Sequence, residues 1–494
     1  MPQARRFGGA RGCERTRERG RARPRSRRGA RGSIATRPRV KPVVSSCVLD
    51  PEAFKAYDVR AVYPSQLDET GAYATARAFV EVFRPARIAV GRDMRLSSPS
   101  IAAAVIDGAA DGGAHVVDLG MVGTEMVYFA TGKLGLEGGI MVTASHNPKQ
   151  YTGLKIVSLG ALPVGGESGL AEIRDRAIAA SWRPAVRGSV ELEDIWDPFV
   201  AAALAFVDLD AIAPLRVVVD AANGMAGTML PRILAHLPQV DVVRFYFEPD
   251  GSFPHHEPNP LLPENREFIV ATTLSEGAAF GVAYDGDADR CFFVDDRGEF
   301  VPGDFTTALF AESMLGREPG AKIIYDVRAS WAVPEAIERA GGIPLINRVG
   351  HSFIKQRMRD EDALFAGEVS AHYYFREFSR ADSGVVPFLL MLELLSRRGQ
   401  PLSEILAPLR ARYFLSGEIN SPVPDVERKL AELERRFGPE GRVSHLDGLS
   451  VDAADWHMNV RPSNTEPLLR LNLEALSEAL MERKRDEVLA AIAA

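Results

Sequence analysis

A chain of 494 residues is too long for a single hydrophobic core, and its length favours about three or four domains. With 46% hydrophobic and 25% charged residues and a mean hydropathy of −0.07, the composition is that of a soluble globular protein. No apolar run approaches the ~18 residues that a membrane helix needs. Cys13, Cys47 and Cys291 have neither metal-binding nor disulfide spacing, which predicts reduced thiols and a cytoplasmic protein.

The first 40 residues differ sharply from the rest. They contain fourteen arginines, no lysine and two acidic residues, so this head carries +12 and leaves −19 for the rest of a chain whose total charge is −7. Because the head has no apolar periodicity, we expect residues 1–45 to form a disordered extension. A signal peptide would need an apolar centre; an RNA-binding arm, an organelle transit peptide and translation from an upstream start codon remain open. The acidic body is not expected to bind nucleic acid.

From about residue 46, short apolar strands alternate with alanine- and leucine-rich helices. One helix is well marked, with Ser97 or Ser98 as its N-cap, Pro99 in its first turn and Gly112–Gly113 as its stop. The strands lack polar alternation, which is typical of strands buried on both faces of a mainly parallel sheet. The clearest predicted strands are Arg87–Val90, His115–Leu119, Gly139–Val142, Arg216–Asp220, Phe280–Tyr284, Lys322–Tyr325 and Ile343–Ile346.

Polar or proline- and glycine-bearing breaks divide this pattern near Asp197–Pro198, Pro302–Gly303 and Arg410–Arg412. The pattern therefore predicts three similar α/β domains with mixed, mainly parallel sheets, over residues 46–197, 198–303 and 304–412. The last segment, residues 413–494, has fewer buried runs and is predicted to be an α+β domain. Because ligands of open α/β sheets bind at the carboxyl ends of strands, the loops that follow the strands are the first place to look for chemistry.

The first such loop is T-A-S-H-N-P, Thr143 to Pro148, directly after a predicted strand. A tight turn there would expose Ser145 for nucleophilic attack, with His146 and Asn147 as nearby hydrogen-bond donors. The loop lacks the G-x-S-x-G pattern of esterases. A polar turn closed by Asn147–Pro148 is the alternative interpretation.

The second loop is D-G-D-A-D-R, Asp285 to Arg290. Carboxylates at Asp285, Asp287 and Asp289 would repel one another, and a hard cation such as Mg²⁺, Ca²⁺ or Mn²⁺ resolves that repulsion better than zinc. An EF-hand is excluded because Arg290 stands where its loop requires glycine and a strand precedes the motif. A solvated acidic turn is the alternative.

Two further loops offer groups for a sugar and for a phosphate. In G-E-V-S-A-H, Gly367 to His372, an extended segment would point Glu368 and Ser370 to one side, where they suit paired sugar hydroxyls. In R-P-S-N-T-E-P, Arg461 to Pro467, a guanidinium, two hydroxyls and an amide form a phosphate cradle. Ordinary turns could look similar in both places. Neither G-x-G-x-x-G nor a Walker A sequence occurs.

Seven short motifs in this order resemble those of the α-D-phosphohexomutase superfamily, in particular bacterial phosphomannomutase/phosphoglucomutase. They are FKAYDVR (54–60), TASHNP (143–148), TGLK (152–155), DGDADR (285–290), VGHS (349–352), GEVSAH (367–372) and RPSNTEP (461–467). The resemblance implies four domains around one central cleft and interconversion of hexose 1-phosphates and 6-phosphates of mannose or glucose. It also implies Mg²⁺ as cofactor, with glucose 1,6-bisphosphate or mannose 1,6-bisphosphate as activator.

The resemblance further implies roles for individual residues. Ser145 would be the phosphoserine and would share the Mg²⁺ with Asp285, Asp287 and Asp289. Arg60, Lys155, Arg290 and His351 would line the transfer site, with Lys155 and His351 as candidate proton carriers. Glu368 and Ser370 would hold sugar hydroxyls, and His372 and Arg328 would also bind the substrate. The phosphate that is not transferred would be bound by Arg461, Ser463, Asn464 and Thr465. Hexose phosphates would be the partners of a monomer or weak dimer without membrane attachment.

Three positions depart from the family pattern: Ala61 and Ala371 replace glycines, and Arg328 replaces a lysine. Alanine at position 61 is tolerated only if its φ is negative. Arginine keeps the charge of lysine but changes the donor geometry, which bears on substrate preference. The alternatives are a phosphoglucosamine mutase, a metal-assisted phosphomonoesterase and a non-catalytic sugar-phosphate-binding protein.

Overall fold

The computed structural model describes residues 48–463 and 468–494. The predicted extension, Cys13, Cys47 and two predicted phosphate ligands, Asn464 and Thr465, lie outside these residues. Among the described helices, none is both long and apolar enough to cross a membrane.

The first sheet has the strand order β1-β5-β4-β2-β3-β7, with β6 paired to β5. Strands β4, β2, β3 and β7 are parallel, and β5 pairs antiparallel with β1, β4 and β6. Helix α2 begins after Ser97, has Pro99 in its first turn and ends at Gly112, as predicted. The elements are β1 Val59–Val62, α1 Glu69–Phe83, β2 Arg87–Arg92, α2 Ser98–Asp111, β3 His115–Met121, α3 Thr124–Lys133, β4 Gly138–Val142, β5 Tyr151–Ser158, β6 Leu162–Pro163, α4 Leu170–Ala179 and β7 Val190–Leu192.

The second and third sheets repeat the centre of the first. Their strand orders are β9-β8-β10-β11-β12 and β14-β13-β15-β16-β17, and the first sheet contains the equivalent series β3-β2-β4-β5-β6. In each series the first two pairings of the order are parallel and the later ones antiparallel. The elements are α5 Trp196–Leu204, β8 Leu215–Asp220, α6 Ala226–Leu234, β9 Val240–Phe245, α7 Glu267–Ser275, β10 Phe280–Tyr284, β11 Cys291–Asp295, β12 Phe300–Val301, α8 Gly303–Leu315, β13 Lys322–Asp326, α9 Ala332–Arg339, β14 Ile343–Asn347, α10 His351–Glu361, β15 Phe365–Gly367, β16 Tyr373–Phe375, β17 Ala381–Asp382, α11 Val385–Arg398 and α12 Leu402–Arg410. The shared topology confirms three similar α/β units.

The C-terminal sheet is antiparallel throughout, in the order β18-β22-β21-β20-β19, and this confirms the α+β prediction. Its core contains Phe437, Trp456 and Leu471 and is separate from the core shared by the first three units. The elements are β18 Phe414–Pro422, α13 Val426–Phe437, β19 Arg442–Ser444, β20 Leu449–Asp452, β21 Trp456–Pro462, β22 Leu468–Ala475 and α14 Glu478–Ala493.

Central strands are buried on both faces, as their uninterrupted apolar sequences predict. In β4, Ile140 and Val142 pack into one core while Met141 packs into the other. Polar side chains are therefore excluded until the strand ends, and the loop after β4 is the first place where they occur. Strands β10 and β15 occupy the same place in their own sheets. The three loops after β4, β10 and β15 are thus topologically equivalent, and they carry the serine, aspartate and glutamate motifs.

Candidate active site

A cavity of about 350 Å³ brings residues of all four sheets together. Ten predicted site residues line it: Arg60, Lys155, Asp289, Arg290, Arg328, His351, Glu368, Ser370, His372 and Arg461. Ser145, Asp285 and Asp287 lie directly behind this lining and are fully buried. Ser463 is reached through a 3.4 Å hydrogen bond from Arg470, which also lines the cavity.

Ser145 sits in a strained turn at the end of β4. Its φ is +50°, in the left-handed region that non-glycine residues seldom occupy. The Ser145 amide donates to Thr143 Oγ1 at 2.9 Å, and Ser145 Oγ donates to Asp285 Oδ2 at 2.8 Å. The hydroxyl therefore points into the aspartate loop instead of outward to solvent.

A buried arginine that sequence reasoning missed holds this turn. Arg95 is 1% exposed, and its guanidinium lies over the ring of Phe253, 5.1 Å from the ring centre. Its guanidinium donates to four backbone carbonyls around the turn, those of Ser145 (2.7 Å), Asn147 (2.6 Å), Pro148 (2.9 Å) and Tyr151 (3.3 Å). Four charge-assisted hydrogen bonds from one planar group therefore hold the backbone of this loop in place.

The aspartate loop packs against the serine turn through a glycine. A Cβ added to Gly286 would lie 2.5 Å from the Ser145 carbonyl oxygen, so a side chain there would push the two loops apart. Asp285, Asp287 and Asp289 each present a carboxylate oxygen within 4.8 Å of the others. Burial and the two neighbouring carboxylates raise the pKa of Asp285 well above its usual range.

Two cations partly balance these carboxylates. Lys155 donates to Asp287 at 2.8 Å and also to Asp289. Burial opposes its charge, but the two aspartates raise the pKa of Lys155 well above its usual range. Arg290 donates to Ser145 Oγ at 3.3 Å and lies 2.8 Å from His146 Nδ1. Positive charge is thereby placed on the serine oxygen and on the aspartates together.

His351 and Arg60 also line the cleft. Arg60 pairs with Asp58 at 2.7 Å and donates to Asn147 at 3.4 Å. The His351 ring meets Tyr57 edge to face, and its Nδ1 has no hydrogen-bond partner among the residues described. Burial and the charge of Lys355 lower the pKa of His351 to about 3. His351 is therefore neutral near pH 7, and in the absence of a bound anion it is a weak base.

The glutamate loop is organised by a turn and not by an extended segment. Glu368 accepts hydrogen bonds from the Gly350 amide (2.9 Å) and the Tyr374 hydroxyl (2.8 Å), and Ser370 Oγ lies 3.0 Å from His372 Nδ1. The extended geometry expected for positions 368–370 is wrong, because residues 368–371 form a turn in which Ala371 has φ = +60°. The other alanine departure, Ala61, lies in β1 and needs no positive φ.

Neighbouring groups keep the side chain of Glu368 ionised. Burial alone would raise the pKa of Glu368, but the hydrogen bond with His372 and the charge of Arg328 hold it well below its usual range. Glu368 is thus a carboxylate that can accept hydrogen bonds from two hydroxyls. Asp326 links this loop to the next cluster, since it pairs with Arg328 through two hydrogen bonds and accepts the Val369 amide at 3.0 Å.

Three arginines converge at the far end of the cleft. Arg328, Arg461 and Arg470 all contact Glu418, a carboxylate on β18. Sequence reasoning found Arg328 and Arg461 but missed Arg470 and Glu418. The only feature of the sequence that pointed to Arg470 was its position as the third residue of β22, the strand that follows the R-P-S-N-T-E-P loop.

This fold and site define a class: three equivalent α/β units and an antiparallel fourth, which together enclose a cleft with a serine and three carboxylates at one end and arginines at the other. Family models match four successive parts of the chain. They are phosphoglucomutase/phosphomannomutase alpha/beta/alpha domain I over residues 51–183, domain II over 197–298, domain III over 302–413 and the C-terminal domain over 418–491. The chain belongs to the phosphoglucomutase/phosphomannomutase family.

Individual proteins that are similar to this chain carry names from the same family. A phosphomannomutase of Salmonella montevideo is 43% identical over 445 residues, which cover 88% of this chain and 98% of the relative. A Xanthomonas campestris protein named phosphohexose mutases is 42% identical over 440 residues, with the same coverage. The crystal structure of a phosphoglucomutase/phosphomannomutase family protein from Burkholderia thailandensis is similar with a TM-score of 0.82 and 33% identity, over 90% of this chain and 97% of that one.

Proposed function

We propose that this protein interconverts the 1-phosphates and 6-phosphates of mannose and glucose through a phosphoserine at Ser145. The observation that carries the proposal is one cleft that joins a buried serine and three aspartates at one end to a glutamate loop and three arginines at the other. A phosphomonoesterase would not need the second half of that arrangement.

In the first step, phosphoserine 145 transfers its phosphoryl group to the free hydroxyl of a hexose 1- or 6-phosphate. The bond from phosphorus to the serine oxygen breaks, a bond to the sugar oxygen forms, and the sugar hydroxyl gives its proton to His351. His351 is placed for this role because its Nδ1 is unpaired among the described residues, and the negative charge of a phosphate bound beside the ring would raise its low pKa. Lys155 is ion-paired with two aspartates, so its contribution is positive charge beside the transferring group.

The product is a hexose 1,6-bisphosphate, which turns by half a revolution so that its other phosphate faces Ser145 and returns the phosphoryl group. Free glucose 1,6-bisphosphate or mannose 1,6-bisphosphate would phosphorylate Ser145 and so activate the enzyme. Glu368 and Ser370, with His372, accept the sugar in both poses by binding the 3- and 4-hydroxyls. Such contacts do not read C2, so glucose and mannose phosphates would both react.

A divalent cation fits beside the serine. Asp285, Asp287 and Asp289 are hard oxygen donors and fully buried, and Asp287 Oδ1 and Asp289 Oδ1 have no hydrogen-bond partner among the residues described. Together with Ser145 they would hold Mg²⁺. The bound ion would offset the charge that develops on the serine oxygen.

We further propose that the protein works in the cytoplasm, since its cysteines lack disulfide spacing, and that it is a monomer or weak dimer, since the described lining of the cleft comes from one chain. The proposed domains are residues 46–197, 198–303, 304–412 and 413–494. Asn464 and Thr465 are proposed to join Arg461 and Ser463 in binding the distal phosphate.

The proposal is tested by coupled assays of mannose 1-phosphate and glucose 1-phosphate conversion, with Mg²⁺ and a trace of glucose 1,6-bisphosphate. We expect the wild type to convert both sugars and Ser145→Ala to lose at least about a thousandfold in kcat. Conversion of glucosamine 1-phosphate alone would assign a different substrate to the same site. Failure with all three sugars would favour a sugar-phosphate-binding protein.

A further inference from the structure

The arginine cluster at the far end of the cleft already contains an anion of its own. Glu418 Oε2 accepts from Arg461 Nη2 at 3.3 Å and from Arg328 Nη1 at 3.5 Å, and Glu418 Oε1 accepts from Arg470 Nη1 at 3.1 Å. Arg328 follows β13 of the third sheet, whereas the other two arginines and Glu418 belong to the C-terminal sheet. One carboxylate therefore connects the arginines of two sheets.

The positions of the arginines require such an anion. Arg461 on β21 and Arg470 on β22 are directly opposite each other in the antiparallel register, an arrangement that is destabilising for like charges. Arg328 has a second partner in Asp326, which it contacts through two hydrogen bonds. Among the residues that the structure describes, Glu418 is the only carboxylate paired with Arg461 or Arg470.

Donors remain for a second anion. Nε of Arg461 and Nε of Arg470 make no hydrogen bond to any described residue, although both atoms are buried. The Glu418 side chain is 26% exposed, whereas those of Arg461 and Arg328 are below 10%. The carboxylate thus has room to move toward solvent while Arg461 and Arg328 stay in place; Arg470, at 29% exposure, is as open to solvent as Glu418.

We infer that Glu418 is a resident substitute for the distal phosphate: it holds the three arginines when no phosphate contacts them and withdraws when one arrives. This inference rests on the proposed function, since it needs a hexose phosphate whose distal phosphate binds these arginines. Glu418 is a positioning residue, because it acts through the arginines and not on the reacting atoms.

The same exchange would assist the reorientation of the bisphosphate. When the distal phosphate leaves, it uncovers three guanidiniums, and a carboxylate that pairs with them at once lowers the free energy of that open state. Glu418 is therefore expected to weaken the binding of sugar phosphates and to speed their release. If Glu418 served only to hold the structure together, its replacement would have the opposite effect: the arginines would separate, and phosphate binding would become weaker.

The test is Glu418→Gln, which keeps the size of the side chain, removes its charge and turns one of its two acceptor oxygens into an NH2 donor. In a Ser145→Ala background that prevents turnover, calorimetry with glucose 6-phosphate, mannose 6-phosphate and inorganic phosphate is expected to give dissociation constants about fivefold lower than with Glu418 present. With Ser145 intact, the variant is expected to show a lower KM together with a lower kcat, because release becomes slower. The matched control is Glu440→Gln, which removes the same charge from the same domain, where Glu440 pairs with Lys484; it is expected to change neither quantity.

The possible outcomes distinguish a failure of the inference about Glu418 from a failure of the proposed function. Equal or weaker phosphate binding by a folded Glu418→Gln variant would overturn the inference and leave the proposed function intact. If the protein with native Glu418 binds neither sugar phosphate, both are overturned. Should the glutamine variant not fold, Glu418→Asp carries the test: a carboxylate shortened by one methylene pairs more weakly with the arginines, and about twofold tighter phosphate binding is expected, whereas unchanged or weaker binding would contradict the inference.

Discussion

The two ends of the cleft handle the same chemical group in different ways. At the transfer end, Ser145 and its three aspartates are fully buried and the serine turn is fixed through backbone carbonyls by Arg95. At the distal end, three long arginine side chains share one partly exposed glutamate. One end is held by buried backbone contacts and the other by side chains that can exchange partners.

This difference follows from what each end has to do. Phosphoryl transfer requires the serine oxygen, phosphorus and sugar oxygen to be nearly in line, and small misplacements are costly. The distal end must bind a phosphate in one pose of the sugar, release it and bind the other phosphate in the second pose. Substitutions at the transfer end should therefore lower kcat, and substitutions of the distal arginines should mainly raise KM.

After Ser145→Ala, the largest effect is expected from the aspartates. Asp287→Asn removes a buried carboxylate that would bind Mg²⁺ and that now pairs with Lys155, and we expect kcat to fall by about 10²–10³-fold. Binding of glucose 6-phosphate, measured by calorimetry, should change little. The control is Asp241→Asn, an exposed aspartate of the same sheet. Full activity of the wild type in excess EDTA would contradict the proposed metal site.

Arg95→Lys tests whether the serine turn needs the hydrogen bonds that Arg95 donates to its backbone carbonyls. Lysine keeps the charge but cannot donate to four carbonyls from one plane, so we expect kcat to fall by about 10–100-fold with little change in KM. Intact-protein mass spectrometry should also show slower phosphorylation of Ser145 by glucose 1,6-bisphosphate. Arg77→Lys is the matched control, because Arg77 is likewise buried and donates to two backbone carbonyls, but away from the cleft. Equal losses in both variants would mean a general effect on folding.

At the distal end, Arg470→Ala should raise KM by about tenfold and leave kcat within about twofold, because one charge-assisted hydrogen bond to the phosphate is lost. Steady-state kinetics with both sugar phosphates measures the split. Arg442→Ala, which removes an exposed arginine from the same sheet, should change neither constant. A fall in kcat at unchanged KM would place Arg470 in the transfer step and break the distinction between the two ends.

Much of the transfer end was predictable because its chemistry is local in sequence. The motifs of Ser145, Asp285 and Glu368 each follow an uninterrupted apolar strand, and the carboxyl ends of such strands are where ligands bind. The structure adds that β4, β10 and β15 are equivalent strands of three repeated sheets. Their antiparallel continuations were not separable from parallel strands, because both are buried on two faces and have the same apolar pattern.

The supporting residues were not predictable because their partners are remote in sequence. Arg95 acts on a turn about 50 residues further on, and Glu418 contacts Arg328, 90 residues earlier. Neither contact leaves a local pattern in the sequence. The turn at residues 368–371 was also missed, since alanine at position 371 gives no sign of a left-handed backbone.

The smallest effect on catalysis is expected from Asp304, which lies behind the distal end and acts on stability. Its carboxylate accepts the Ser330 amide at 3.1 Å, two residues beyond Arg328, and burial, reinforced by Asp326 and Glu474, raises the pKa of Asp304 to about 7. Because the unfolded chain has the lower pKa, folding takes up a proton between about pH 4 and 7, and stability from this group is lost as pH rises through that window.

Asp304→Asn cannot ionise and can still accept the Ser330 amide through its side-chain carbonyl. We therefore expect the variant to match the wild type at pH 4 and to exceed its free energy of unfolding by about 4 kcal/mol at pH 8, measured by urea denaturation. Asp241→Asn should give no such pH-dependent gain. Parallel curves for Asp304→Asn and the wild type would mean that Asp304 is already ionised in the folded protein. A gain at pH 8 without a change in KM would show that the charge of Asp304 does not contribute to phosphate binding at the distal end.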